Sequence, residues 1–407
     1  MLSRRRVSVV IVVLLTLSVF LFPASARQSK PTVAALAPIE LVIEGLGHLE
    51  GIAVDGTGAV FVSDGKAGKI FEVVAGQSGV VVGGLKHPVG LTLDGEGRLV
   101  FVEGGRARVL RLEEGGEMTT LASVLKHPRW IGAALDGSVY VTARRLAPRE
   151  EEGGDDERES EVIARVTPDG KAGVFADEFR GLQGLTVERD ALVVAARGRR
   201  GDRHVVGTLY SIPIEPDGRA GPATPLVTNQ FVKAAGLASD RLGARFVSAE
   251  SLVGEPWRRH VIVKVAQDGT ATLFAESLED PEGLAFGPDG SLYLADGRAG
   301  RVLRFVAPRP PVLDENPPAV TNQRQVALRV RAEGGSRLTV LGGQLPVTVP
   351  VDHSGSALVS VTLHANRENH LLVFSTTTAG LGLTSAPLEV TVIHRSEERR
   401  VGKECRL

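Results

Sequence analysis

The sequence predicts an all-β chain: a six-bladed β-propeller closed by an N-terminal strand, with a smaller β-sandwich behind it. Three observations lead there. Forty-eight glycines, 22 prolines and an aromatic content of 4% read as short strands divided by turns. A unit of glycine, apolar strand, tight turn and second apolar strand recurs six times between residues 39 and 307, and a period of roughly 40 to 50 residues belongs to blades. Beyond a proline-rich stretch the repeat stops, and strands continue at the short, even spacing of a sandwich.

The six copies are LEGIAVDGTGAVFVSD (49 to 64), PVGLTLDGEGRLVFVE (88 to 103), WIGAALDGSVYVTA (130 to 143), LQGLTVERDALVVAA (182 to 196), AAGLASDRLGARFVSA (234 to 249) and PEGLAFGPDGSLYLAD (281 to 296). The turn between the two strands is rich in Asp and Gly, where positive φ is easily taken. A third strand follows each copy, from KIFEVV (69 to 74) to RVLRFV, and the first five copies add a fourth, such as VVVGGL (80 to 85) and ATLFAE. The sixth copy has none after Val306. IELVIEGLGHLEG (39 to 51) has the form of ATLFAESLEDPEG (271 to 283), so an N-terminal strand is expected to complete the last sheet and close the ring, leaving no long exposed edge.

RPPVLDENPP (309 to 318) lies in a linker over 308 to 318, too stiff and proline-rich to carry a sheet. From 319 to 394 the strands VALRVRA, RLTVLGG, LPVTVPV, ALVSVTLHA, HLLVFSTTT and LEVTVIH follow. The run VDHSGSALVSVTLHANRENHLLVFSTTTAGLGLTSAPLEVTV, an Asp-x-x-Gly turn, apolar strand, Asn turn and further strand, resembles bacterial immunoglobulin-like modules. That resemblance implies an immunoglobulin-like β-sandwich, truncated if the tail after it is not native, serving as a spacer or adhesion module.

At the N-terminus, Arg4, Arg5 and Arg6 precede an apolar run from Val7 to Phe22 and the small residues Ala24-Ser25-Ala26, which is the pattern of a signal peptide over 1 to 26. The alternative is an anchor helix, but the run spans only about 24 Å of a roughly 30 Å hydrocarbon core. A linker over 27 to 38 follows. The protein is therefore expected to be exported, to the periplasm, the cell surface or beyond, with no stable membrane insertion after cleavage. At the other end RSEERRVGKECRL (395 to 407) resembles the translated read-through of a sequencing adapter, the alternative being a charged tail. On the adapter reading Cys405, the one cysteine, is not native, and the fold rests on core burial without disulfides. Forty-seven basic against 48 acidic side chains leave no net field to attract nucleic acid or anionic lipid.

In a propeller the inner strands line a channel, and long links on one face are candidate functional loops. Residues 144 to 161, 197 to 207 and 250 to 260 are such insertions, on blades 3, 4 and 5. The first is acidic; the others offer arginines that can pair with it, unless the acidic run is simply a solvated loop. Before the six repeat glycines stand Glu50, Val89, Ile131, Gln183, Ala235 and Glu282. Closure makes blades 1 and 6 neighbours, so Glu50 and Glu282 should meet at the mouth. Two carboxylates there need a cation, a shared proton or water between them, and hard oxygen ligands suit Ca2+ or another divalent ion. The other reading of Glu282 is a polar lining of the channel.

The repeat, above all DPEGLAFGPDGSLYLADGRAGRVLRF (280 to 305), resembles the NHL-repeat and senescence-marker (SMP-30)/gluconolactonase, or regucalcin-like, propellers. The resemblance implies one divalent ion held by a first-blade Glu with an Asn and an Asp of later blades. Glu50 matches the first of these. Gln183 and Ala235 fill the slots of the others, and Ala235 cannot ligate, so the implied set is incomplete, with Glu282 as a substitute ligand. His48, His87 and His127 precede inner strands, two of them in Leu-Lys-His-Pro. Some NHL-type lyases bind zinc with such histidines; the other reading is a repeat turn preset by proline. Trp130 is either a stacking platform for a sugar ring or a cap over the core. Arg129 beside it and Trp257 in the blade 5 insertion are further ligand-binding candidates.

Two functions follow. One is an exported propeller that binds a small molecule, carbohydrate or protein at its mouth. The other is a divalent-metal-dependent hydrolase or lyase, lactonase-like, working at the same mouth. The sequence has no Gly-x-Ser-x-Gly elbow, no Gly-rich phosphate loop and no Cys-x-x-Cys.

Overall fold

The computed structural model describes residues 33–146, 161–202, 206–377 and 380–396. The segment read as a signal peptide, most of the acidic insertion and nearly all of the charged tail lie outside them. Inner-to-outer, blade 1 is Leu49–Val54, Val60–Asp64, Lys69–Val74 and Gln77–Val82. Blades 2 to 5 repeat that antiparallel order from the inner strands Pro88–Leu93, Ile131–Ala133, Leu185–Val187 and Phe231–Ser239. Blade 6 takes Pro281–Phe286, Leu292–Asp296 and Arg301–Phe305 from the C-terminal side of the ring and Ile39–Ile43 from the N-terminal side. The register Ile39↔Phe305 and Leu41↔Leu303 is the closure expected from the sequence.

The repeat glycines explain why the ring is tight. A Cβ on Gly51 would lie 2.1 Å from Val89 O, one on Gly184 2.3 Å from Ala235 O, and one on Gly236 2.4 Å from Glu282 O. One on Gly283 would lie 2.7 Å from Glu50 O, carrying the pattern from the last blade to the first. Inner strands approach backbone to backbone, which only a residue without a side chain permits. Ser63 adds a link by donating to Val89 O at 2.7 Å, and Ser248 does the same to Glu282 O at 2.6 Å.

Between neighbouring blades lies an apolar layer; Ile70 and Val82 meet Leu91 and Phe101, and Leu49 and Val62 meet Tyr293 and Val302. Second strands are therefore buried on both faces, as Leu99–Glu103 and Leu292–Asp296 are throughout, and read as continuous apolar runs rather than alternating ones. Two short edge strands are additions to the expected pattern. Ala34–Ala35, within the stretch read as a linker, pairs with Ala275 and Glu276 of blade 5. Val312–Leu313, inside the proline-rich linker read as unable to carry a sheet, pairs with Val330 and Arg331, which proline tolerates at an edge.

The C-terminal β-sandwich has a three-stranded sheet of Val312–Leu313, Gln325–Arg331 and Ser356–Thr362. Facing it are Val320–Thr321, Leu388–His394, Glu368–Thr376, Arg337–Leu341 and Val347–Pro350. Strict alternation on Gln325–Arg331 sends Val326, Leu328 and Val330 into a core shared with Leu338, Val340, Leu371 and Val373.

This sandwich is docked on the propeller face that carries the turns between first and second strands. Leu383, fully buried, enters the apolar layer of Phe246, Phe274 and Leu292 between blades 5 and 6. Lys264 Nζ donates to Gly380 O at 3.0 Å and Gly382 O at 2.7 Å, and Thr384 donates to Asp240 at 3.0 Å. The turn of blade 6 fits because position 290 is glycine: a Cβ there would lie 2.2 Å from Thr384 O.

Candidate functional site

The mouth is the opposite face, where the inner strands begin. In blades 1 and 6 the pairing with the second strand shifts register between Leu49 and Ile52 and between Pro281 and Leu284. A β-bulge of this kind re-aims a side chain, here at Glu50 and Glu282. Both carboxylates have room because the Asp-Gly step after the second strand ends in glycine. A Cβ on Gly65 would lie 2.2 Å from Glu50 Oε1, and one on Gly297 would lie 3.2 Å from Glu282 Cγ. The preceding aspartates hold the turns: Asp64 accepts from the Lys66 and Ala67 N–H groups, while Asp296 accepts from Glu279 and Asp280 N–H and from Arg301.

Glu50 is buried, with His87 Nε2 3.1 Å from its Oε1. Burial raises its pKa against the opposing charges of His87, Arg129 and His48. Glu282 is pushed up to about 8, first by burial and then by the negative charges of Asp280 and Glu50, with Arg129 and Arg298 acting the other way. The charge of Glu50 thus reaches Glu282, as closure of the ring requires. Near pH 7 Glu282 holds its proton and can donate where Glu50, beside an imidazole, can accept.

Beside Glu282 a cleft of about 590 Å³ opens between blades 5 and 6, lined by Lys233, Ala235, Glu250, Arg259, His260, Asp280 and Arg298 among others. Its charges are paired: Glu250 lies 2.6 Å from Lys233 and 3.0 Å from Arg259, and Arg298 grips Asp280 at 3.1 and 3.2 Å. Of the lining residues, Glu250, Arg259 and His260 belong to the blade 5 insertion at 250 to 260, while nothing in the repeat pattern marks Lys233, Asp280 and Arg298 as cleft residues. A signal was present in the Asp280-Pro-Glu282 step, which puts a second acid next to the mouth glutamate.

The other candidates separate. His87 and His127 take left-handed φ of 52° and 50° and are exposed, the geometry of a turn before proline. His48 is half-buried and acts on Glu50 through its charge. Gln183 is half-buried, its N–H donating to Ala195 O at 2.8 Å. Trp130 is 6% exposed and packs in the layer with Tyr140, Leu185 and Leu192, so its ring is core rather than platform. Arg129 is exposed, and its charge reaches both glutamates. Trp257 is 72% exposed on Glu255–Val265, where the blade 5 insertion proves to be an extension of the hairpin rather than a loop. Among the described residues three arginines of the insertions pair close to home, Arg258 with Glu255 and Glu276, Arg259 with Glu250 and Arg199 with Glu178.

For a divalent ion the fit is incomplete. Glu50 is engaged by His87, position 235 is alanine, and among the described residues no three His, Cys, Asp or Glu side chains are grouped to hold a metal.

Ring, mouth and cleft define a six-bladed β-propeller. The solved structures bear this out: a gluconolactonase of Xanthomonas campestris, XC5397, matches at 18% identity and a TM-score of 0.53 over 66% of this chain and 89% of its own. A second structure, described as that of a "putative gluconolactonase", matches at 20% identity and 0.52 over 67% and 92%. A calcium-binding regucalcin of Agrobacterium tumefaciens matches at 14% and 0.50 over 66% and 93%. At these identities the likeness is one of fold. No family model and no curated protein matches the chain.

Proposed function

We propose that the protein is an exported ligand-binding β-propeller whose mouth takes a small polar molecule, such as a carbohydrate, between Glu50 and Glu282. The observation that carries this reading is the pair itself: two carboxylates from the first and last blades, one holding a proton near pH 7 and one beside an imidazole, offer a donor and an acceptor a few residues from a charged cleft. Export rests on the Met1 to Ala26 pattern and is checked by cell fractionation with N-terminal sequencing; a chain found only in the cytoplasm with Met1 intact would contradict it.

The second reading is a divalent-metal-dependent lactonase. The place of Glu50 in the first blade and the neighbours described as gluconolactonases favour it, and the missing third ligand opposes it. Calcium titration by calorimetry on the whole chain, beside a Glu50→Gln, Glu282→Gln double variant, separates the two. On the binding reading neither protein takes up a stoichiometric ion, while a monosaccharide panel raises the Tm of the parent alone. One tightly held ion, lost in the variant, would overturn it in favour of the metalloenzyme.

A further inference from the structure

The docked sandwich and the lower rim of blades 4 and 5 enclose a cleft of about 830 Å³ on the face opposite the mouth. We propose that this cleft is a second binding site, one that takes an oxyanion, phosphoryl, sulfuryl or carboxylate, on Arg189, Arg241 and Arg337.

The three arginines line it from separate places: the turn after the blade 4 inner strand, the first turn of blade 5, and the start of the sandwich strand Arg337–Leu341. Among the described residues Arg189 and Arg337 have no side-chain hydrogen bond or ion pair, and Arg241 donates only to Pro288 O, at 2.9 Å. The two carboxylates at the cleft are already engaged. Glu188 is gripped by Arg245 at 2.8 and 2.9 Å and accepts from Ser239, while Asp240 accepts from Thr384 and from the Leu242 and Ala244 N–H groups. Arg108 and Arg301, by contrast, each meet a carboxylate, Glu103 and Asp296. The cleft therefore carries a surplus of positive charge from two domains. A planar guanidinium presents parallel N–H donors matched to an oxyanion, and clefts between domains are favoured ligand sites. The site exists only because the sandwich is docked, since Arg337 belongs to it and the other two to the propeller.

The test is calorimetric titration of the full chain with inorganic phosphate, sulfate and citrate, compared between the parent, an Arg189→Gln, Arg337→Gln variant, and a variant with equal charge loss on an exposed sandwich strand and its approach, Arg324→Gln, Arg329→Gln. The proposal expects saturable binding of at least one probe, weakened about tenfold or more in the first variant and unchanged in the second, with Tm equal in all three without ligand. Tighter phosphate or sulfate than citrate supports it with a tetrahedral oxyanion as the ligand group, and the reverse order supports it with a carboxylate. No saturable binding of any probe, or equal weakening in both variants, overturns it.

Discussion

Glu282 is the residue whose chemistry depends most on its surroundings. Its pKa in the folded protein, about 8, stands above the ordinary glutamate value of 4.5. The folded state therefore binds the proton more tightly than the unfolded chain does. The stability this contributes is complete below about pH 4.5 and is lost as pH rises through 8. Glu282→Gln, which cannot ionise, should match the parent near pH 4 and melt a few degrees higher at pH 9. Thermal denaturation across that range reads this directly; parallel curves for the two proteins would contradict it. The sequence made the position legible, because Glu282 precedes a repeat glycine as Glu50 does. Its environment was legible only in Asp280, two residues away in the chain; burial, Arg298 and the space left by Gly297 arise only when blades pack. For the same reason Trp130 read equally well as platform or core until its neighbours were known.

At the scale of the element, the blades were readable because one pattern repeats with its turns in place. Ala34–Ala35 and Val312–Leu313 were not, since a two-residue edge strand has no period to show. The ring of glycines joins the blades, and its weak point can be tested. Gly236→Ala places a methyl 2.4 Å from Glu282 O and 2.9 Å from the Gly283 Cα, atoms of backbone that cannot swing aside. It should cost about 1–3 kcal/mol, the range of overpacked cores, read as a lower urea midpoint, whereas Gly79→Ala, on an outer strand with nothing near its Cβ, should cost little. Closure makes a parallel prediction. A chain starting at Glu44 lacks Ile39–Ile43 and leaves Arg301–Phe305 an open edge, so it should unfold at lower urea and associate on gel filtration where the parent does not.

For the whole molecule the question is whether the sandwich hangs from the propeller or is built into it. The resemblance to immunoglobulin-like modules implied a spacer, and a tether between a spacer and its neighbour buries little. Here Leu383 is fully buried among Phe246, Phe274 and Leu292, and the ammonium of Lys264, itself buried, has Gly380 O and Gly382 O as hydrogen-bond acceptors. Removing Leu383 would leave a cavity in the propeller and release the loop that carries Gly380 and Gly382. Lys264 would then be a buried cation without acceptors, which is costly. The parent should therefore unfold in one cooperative transition by both near-ultraviolet circular dichroism and calorimetry. Leu383→Ala should lose about 2–5 kcal/mol and split that transition in two, the sandwich and propeller melting separately. Two transitions already present in the parent would mean that the buried contact does not couple the domains, and the sandwich would then be a tethered module after all.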